Sequence, residues 1–267
     1  MFASHYSKLL PLQLAGQYLQ AAVQVLESNG TGAPVKISAI KAIHKSVDTY
    51  SYVSLFSEFS MSWISFCNEG EDSAISPFAS RITRDLGPFL LSASEDTLSL
   101  VLETIAVILE VDQGKWLTVD LATSLVNAAL QVWEGNNKGE PLNCPLRSRP
   151  TDLFPFYLDP IFVSVLSDIV ENLASSKTPG IYEAVVKQAL PPLGLAIGSA
   201  KKVESWIAAS GIELVSSLVQ GSPHSGLGDG FFQVLAPQLF SCLSRAEDRD
   251  VLQVTPPLAR VFGTDLV

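Results

Sequence analysis

The feature that most constrains this chain is a recurring couplet of amphipathic helices separated by a short turn. Apolar residues between Leu14 and Leu26 recur at spacings of three and four, which places them on one helical face. The residues Asn29-Gly30-Thr31-Gly32 end that helix, and Pro34 begins the next one. Each such couplet buries its apolar face only against neighbouring couplets, so a stack of helix pairs is the predicted architecture.

The couplet recurs along the rest of the chain. We predict paired helices over residues 82–91 and 96–111, 117–133 and 161–173, and 181–197 and 204–218, and a last couplet with a helix over 231–243 and another beginning at Asp248. The second helices beginning near Asp159, Val203 and Asp248 are 44 and 45 residues apart. This matches the ~40–47-residue period of HEAT-type repeats. The sequence therefore predicts an all-α fold, namely a right-handed α-solenoid of about four to five HEAT-type helix pairs.

Two segments make the earlier couplets longer than this period. Residues 139–158 contain four prolines and no helical period, and residues 45–65 are rich in Ser, Tyr, Phe and Trp. We predict that both are irregular inserts, either introns translated in frame or surface loops, which solenoids tolerate. Residues 1–253 then form the solenoid segment. Residues 254–267, which begin close to Pro256-Pro257, form a tail that does not belong to the repeat.

Charge and hydropathy exclude several classes of function. The chain carries 27 acidic and 17 basic residues, a formal net charge of −10. Direct binding of nucleic acid needs a basic surface, so this balance argues against it and favours basic partners. The most apolar stretch, residues 98–109, is interrupted by Glu103, which argues against membrane insertion. The N-terminus has no basic region followed by an apolar core, so we predict an intracellular, soluble protein.

Catalytic and metal-binding patterns are weak. The histidines His5, His44 and His224 are far apart, and Cys67, Cys144 and Cys242 form no metal-ligand or disulfide spacing. Ser222 lies two residues before His224, but no strand-turn-helix elbow or orienting acid accompanies them. We predict that the chain is not an enzyme and holds no cofactor or metal. A helical hydrolase using Ser222 and His224 is the enzymatic alternative.

The candidate binding residues are acidic side chains on, or just past the end of, the second helices of two couplets. They are Glu103, Glu110, Asp112, Asp168 and Glu171. Second helices line the concave face of HEAT arrays, so these carboxylates are placed to attract a partner rich in Lys and Arg. The alternative is a solvated helix face without a partner. Trp116, Trp133 and Trp206 are predicted to be packing anchors between repeats.

Several short strings occur in the order and spacing of a known family. They are Ala3-Ser4-His5-Tyr6, residues 34–43, residues 98–105 with Val111-Asp112, Asp159-Pro160 with Ser167-Asp168-Ile169, and Leu190-Pro191-Pro192-Leu193. In this order the chain resembles the importin-β superfamily of nuclear transport receptors, and most closely its importin-9 type. The resemblance covers nearly all of the chain outside the two inserts, and it rests on the unbroken order and spacing of these strings.

The resemblance implies a segment from the middle of a longer nuclear import receptor. It implies binding of basic protein cargo of the histone or ribosomal-protein kind, together with the Ran GTPase. Ran-GTP would bind through repeats of the family that have no counterpart in this chain. It also implies shuttling between cytoplasm and nucleus. The alternative is a HEAT-repeat scaffold subunit of a phosphatase or of a trafficking complex.

Overall fold

The computed structural model describes residues 12–55, 75–93, 95–137, 160–200, 205–223 and 231–245, and these residues are helical apart from short connections. The helices are α1 (Leu12–Glu27), α2 (Ala33–Leu55), α3 (Ser76–Ser92), α4 (Glu95–Glu110), α5 (Val119–Asn137), α6 (Pro160–Ala174), α7 (Ile181–Ser199), α8 (Ser205–Gln220) and α9 (Ala236–Arg245). A 3₁₀ turn, Val111–Gly114, follows α4, and a π turn, Phe231–Leu235, precedes α9. No strand occurs within these ranges, which confirms the predicted all-α class.

The apolar spacing explains where the helices form. In α1, Leu19, Val23 and Leu26 are three or four residues apart, and each is at most 2% exposed. α3 has Pro77 in its first turn. Backbone N–H groups in the first turn have no acceptor within the helix, so a proline there costs no hydrogen bond. Each helix from α1 to α9 overlaps a helix that the periodicity predicts.

The chain divides into two compact units, an N-terminal unit of residues 1–117 and a C-terminal unit of residues 118–267. In the N-terminal unit α1 packs on α2 and α3 packs on α4. In addition, α1 packs on α3, and α2 packs on α4. Each helix therefore contacts both its hairpin partner and the equivalent helix of the other hairpin. α4 is buried on a wide face because α2 and α3 both cover it, and Val101, Leu102, Ile105 and Ile108 are all 0% exposed.

A bidentate ion pair joins α1 to α3 in the N-terminal unit. The Arg81 guanidinium donates from Nε to Glu27 Oε1 over 2.7 Å and from its terminal nitrogen to Oε2 over 2.6 Å. The hydrogen bond from Arg81 is the main reason why the pKa of Glu27 is lowered. This planar two-bond geometry orients the two helices more specifically than a single charge contact does.

The C-terminal unit repeats the same packing in the five helices that the structure describes there. Hairpin partners α5 and α6, and α7 and α8, pack on each other. The odd-numbered helices pack in the order α5, α7, α9, while α8 packs on α6. In both units consecutive helices pair, and each pair packs helix for helix on the next.

α7 continues through two prolines. Pro191 and Pro192 lie inside the helix, so the carbonyl groups of Lys187 and Gln188 lose their usual helical donors. Both of these residues are exposed, which lets water satisfy the free carbonyl groups. The family-like Leu190-Pro191-Pro192-Leu193 string therefore lies within a helix, and Leu190 and Leu193 remain buried.

One predicted insert is partly wrong. Helix α2 extends to Leu55, so residues 45–55 are helical rather than irregular. The physical reason is that the apolar spacing continues from Ile43 to the buried Val47, and no Gly or Pro occurs between Val35 and Leu55. Residues 56–65, the predicted insert 139–158, the predicted helix beginning at Asp248 and the tail 254–267 lie outside the described residues.

None of the helices in the described ranges combines the length and the apolar character needed to cross a bilayer.

Candidate partner-binding surface

The five acidic residues singled out in the sequence divide between the two units. Glu103 and Glu110 lie on α4, and Asp112 lies in the 3₁₀ turn, all in the N-terminal unit. Asp168 and Glu171 lie on α6 in the C-terminal unit. All except Asp112 therefore lie on even-numbered helices, the second members of their hairpins.

On α4, Glu103 and Glu110 are seven residues apart, which places them two turns apart on the same helical face. Glu110 is exposed and Glu103 is partly buried. The Ser99 hydroxyl donates to Glu103 Oε1 over 3.0 Å, a contact one turn along the helix. Glu103 is therefore hydrogen-bonded within its own helix, and the exposed Glu110 lies one further heptad along the same face.

Asp112 does not continue that face. Its φ is 52° and that of Gln113 is 54°, so both residues are in the left-handed region, and Gly114 follows with φ 69°. Asp tolerates this conformation better than most non-glycine residues. The turn is closed by hydrogen bonds from the Lys115 N–H to the Asp112 carbonyl and from Trp116 Nε1 to the Val111 carbonyl. The chain therefore leaves the axis of α4 before Asp112.

The C-terminal unit gathers three carboxylates on two neighbouring helices. Glu171 follows Asp168 on α6, and Glu213 lies on α8, which packs on α6. The pKa of each of these groups is raised, and burial is the main cause for all three. The charge of Asp168 raises the pKa of Glu171 and of Glu213 further, so all three carboxylates share one electrostatic environment. We call Asp168, Glu171 and Glu213 the acidic cluster.

The surroundings of the acidic cluster differ from those of the ion-paired Glu27. Among the described residues, none of its three carboxylates pairs with a basic side chain, whereas Glu27 in the N-terminal unit pairs with Arg81. Asp168 is an exposed residue, although neighbouring atoms shield its carboxyl group from part of the solvent. A partly desolvated group of like charges without a counterion attracts a cationic partner.

Sequence reasoning missed Glu213. It is the only charged residue in α8, and it lies between the buried Ile212 and Leu214. The sequence offered one signal for it: Glu213 lies in the predicted helix 204–218, which is the second helix of its couplet, as the predicted helix 161–173 is of the couplet before it. That position alone does not reveal that its carboxylate comes close to Asp168, because the approach depends on how α8 packs on α6.

The described residues contain no three His, Cys, Asp or Glu side chains placed to hold a metal ion together. The acidic cluster is therefore too dispersed to form a compact oxygen-ligand site. Its geometry is better suited to several separate cationic groups, such as Lys and Arg side chains of one partner.

The structure also describes part of the alternative Ser222 and His224 pair and the three tryptophans predicted to be packing anchors. The Ser222 side chain is hydrogen-bonded to the Tyr182 hydroxyl, and His224 lies outside the described residues. Trp133 is 2% exposed, as expected for a packing anchor, while Trp116 and Trp206 are partly buried.

A comparison with known proteins finds no family model that matches the chain and no curated protein similar to it.

Proposed function

We propose that this chain is a segment of a HEAT-type α-solenoid that binds basic protein cargo in nuclear import. The helix-for-helix packing within each unit supports the solenoid, because stacked repeats contact only their neighbours in the same manner. In such an array the odd-numbered helices form one layer and the even-numbered helices the other. The right-handed superhelix of HEAT arrays is part of the proposal.

The acidic cluster is the observation that carries the binding function. It lies on α6 and α8, two adjacent even-numbered helices, and it combines partial desolvation with negative charge that no basic side chain of the described ranges pairs with. Lys and Arg side chains of a cargo protein would serve as counterions and form charge-assisted hydrogen bonds. Glu103, Glu110 and Asp112 are proposed as a weaker, more solvated part of the same binding function.

The nuclear transport role follows from the resemblance to the importin-β superfamily, most closely the importin-9 type. In that role Ran-GTP acts with the complete receptor, and the receptor shuttles between cytoplasm and nucleus. Cargo of the histone or ribosomal-protein kind is the expected class, because these proteins carry dense positive charge.

The test measures binding of a lysine-rich histone to the 267-residue chain by isothermal titration calorimetry at several salt concentrations. The triple variant Asp168→Asn, Glu171→Gln and Glu213→Gln is expected to bind about tenfold more weakly, a loss of about 1.4 kcal/mol. Affinity of the unaltered chain is expected to fall as salt rises.

The matched control is the triple variant Asp120→Asn, Glu134→Gln and Glu183→Gln. It removes the same number of charges from the odd-numbered helices α5 and α7 of the same unit. We expect it to retain most of the affinity. Equal losses of affinity in both variants would show that binding depends on the net charge of the chain and not on the acidic cluster. Binding that neither variant weakens would favour the HEAT-repeat scaffold of a phosphatase or trafficking complex.

A further inference from the structure

The connection between α1 and α2 contains a reactive pair of residues. Of the seven asparagines in the chain, only Asn29 is followed by glycine. Both Asn29 and Gly30 are exposed. An added Cβ at Gly30 would meet no atom within 4 Å, so space beside the Gly30 Cα is open.

Backbone hydrogen bonds fix the two ends of this connection. The Ser28 N–H bonds to the Gln24 carbonyl, and the Gly32 carbonyl accepts from the N–H groups of Val35 and Lys36. Within the described part of the chain, neither the Asn29 side chain nor the Gly30 N–H makes a hydrogen bond. The Asn29 side chain is therefore free to rotate toward the Gly30 backbone nitrogen.

We propose that Asn29 is a site of spontaneous deamidation. The deprotonated Gly30 backbone nitrogen attacks Cγ of Asn29, and the new N–Cγ bond closes a five-membered succinimide while the Cγ–Nδ2 bond breaks and ammonia leaves. Water then adds to one of the two ring carbonyls and breaks its bond to nitrogen. The product is aspartate or isoaspartate at position 29. The missing Cβ of Gly30 removes the main steric barrier to the ring closure.

The product changes both charge and backbone at the first hairpin. A new carboxylate appears two residues after Glu27, just past the C-terminal end of α1, where negative charge is unfavourable. Isoaspartate also adds a carbon to the backbone of the short connection between α1 and α2, which pack on each other. Deamidation thus alters the N-terminal unit, whereas the acidic cluster belongs to the C-terminal unit, so this proposal does not depend on the proposed function.

The experiment incubates the full chain at neutral and alkaline pH and follows each asparagine by peptide mapping with mass spectrometry. Asn29 is expected to deamidate roughly ten times faster than Asn127 and Asn172, which lie in helices before residues that have a Cβ. The rate should rise with pH because the attacking nitrogen must lose its proton. In the urea-unfolded chain Asn29 should keep a similar rate, whereas Asn127 and Asn172 should react faster than when folded.

Two alanine variants separate the chemistry from the fold. Gly30 and Gly32 both have φ outside the left-handed region, and an added Cβ at Gly32 would approach only Pro34 Cδ, at 3.8 Å. Gly30→Ala is expected to slow the reaction at Asn29 by roughly an order of magnitude, and Gly32→Ala to leave it unchanged. Equal rates at Asn29, Asn127 and Asn172 in the folded chain, or an unchanged rate in Gly30→Ala, would overturn the proposal.

Discussion

Trp133 and Ser210 form a buried contact between two helices that are not hairpin partners. Trp133 on α5 is 2% exposed, and its Nε1 donates to Ser210 Oγ on α8 over 3.0 Å. The Ser210 hydroxyl in turn donates to the Ile207 carbonyl over 3.3 Å. The indole N–H is buried, and burying a donor without an acceptor would destabilise the fold. The Ser210 hydroxyl supplies that acceptor.

Ser210→Ala is expected to lower the free energy of unfolding by about 1–3 kcal/mol, because the Trp133 N–H would lose its acceptor. Ser216→Ala is the control. Its hydroxyl donates to the Ile212 carbonyl in its own helix, and this change should cost less than about 0.5 kcal/mol. Urea unfolding followed by circular dichroism measures both. Similar costs for the two variants would show that the indole contact contributes little.

The acidic cluster opposes folding when it is ionised. Burial raises the pKa of Asp168, Glu171 and Glu213, so the folded chain binds these protons more tightly than the unfolded chain does. The resulting loss of folding stability is fully present when the pH is above the raised pKa values of the folded chain. It disappears when the pH is below the ordinary carboxyl pKa of the unfolded chain. Glu27 behaves oppositely, because Arg81 lowers its pKa, and the stability that it contributes is lost as the pH falls through that lowered value.

Glu213→Gln is therefore expected to stabilise the chain near pH 7, by less than about 1 kcal/mol once solvent screening is allowed for. The gain should shrink as the pH falls toward about 3, which lies below the ordinary glutamate pKa of about 4.3, because Glu213 of the unaltered chain then becomes protonated in both states. Glu183→Gln should not stabilise the chain, because the exposed Glu183 carboxylate lies in the first turn of α7, where negative charge is favourable. Urea midpoints at the two pH values measure the difference, and a gain that persists at the lower pH would contradict the electrostatic explanation.

At the scale of the elements, two glycines differ in what surrounds them. Gly16 lies inside α1, and an added Cβ would meet nothing within 4 Å. Gly221 follows α8 and is buried against the end of α6, where an added Cβ would lie 2.7 Å from the Glu171 carbonyl oxygen and 2.9 Å from the Ser175 nitrogen. The close approach of these two helices therefore requires a residue without a side chain.

Gly16→Ala is expected to raise the free energy of unfolding by about 0.5–1 kcal/mol, because alanine loses less backbone entropy in a helix. Gly221→Ala should lower it by about 1–3 kcal/mol, because backbone atoms of α6 must move. Thermal unfolding of the two variants gives the comparison directly. A stabilised Gly221→Ala variant would mean that α6 and α8 separate without cost.

The local sequence determined most helix positions to within a few residues. α7 spans Ile181–Ser199 against a predicted 181–197, and α6 spans Pro160–Ala174 against a predicted 161–173. The error at residues 45–55 arose because composition was given more weight than the uninterrupted apolar spacing that ends at Val47. The five predicted binding residues were found on or next to α4 and α6, but their grouping was not predictable.

At the scale of the whole molecule, the chain between α5 and α6 is long for a hairpin connection. The two helices pack on each other, although residues 138–159 separate Asn137 from Pro160 in sequence. The connection between α1 and α2 needs only residues 28–32. If residues 139–158 are an insertion into the repeat, the hairpin does not need them.

Deleting residues 141–156 is expected to preserve the helical fold and to raise the free energy of unfolding by about 1 kcal/mol, because a shorter connection loses less entropy on closure. A variant in which the same residues are replaced by an equally long Gly/Ser segment should match the stability of the unaltered chain. Far-UV circular dichroism and urea unfolding measure both variants. Loss of helical signal in the deletion variant alone would show that α5 and α6 need the long connection. Loss in both variants would show that this segment takes part in the fold.

The sequence by itself determined the all-α class, the pairing of helices and the negative charge of the chain. The helices and their pairing follow from the spacing of apolar residues and the positions of Gly and Pro, which act locally. The net charge is a sum over the composition. Only the tertiary structure decided that Glu213 joins Asp168 and Glu171, that Trp133 reaches Ser210 and that Gly221 lies against α6. Such contacts depend on the relative register of helices that are distant in sequence, and helical periodicity contains no information about that register.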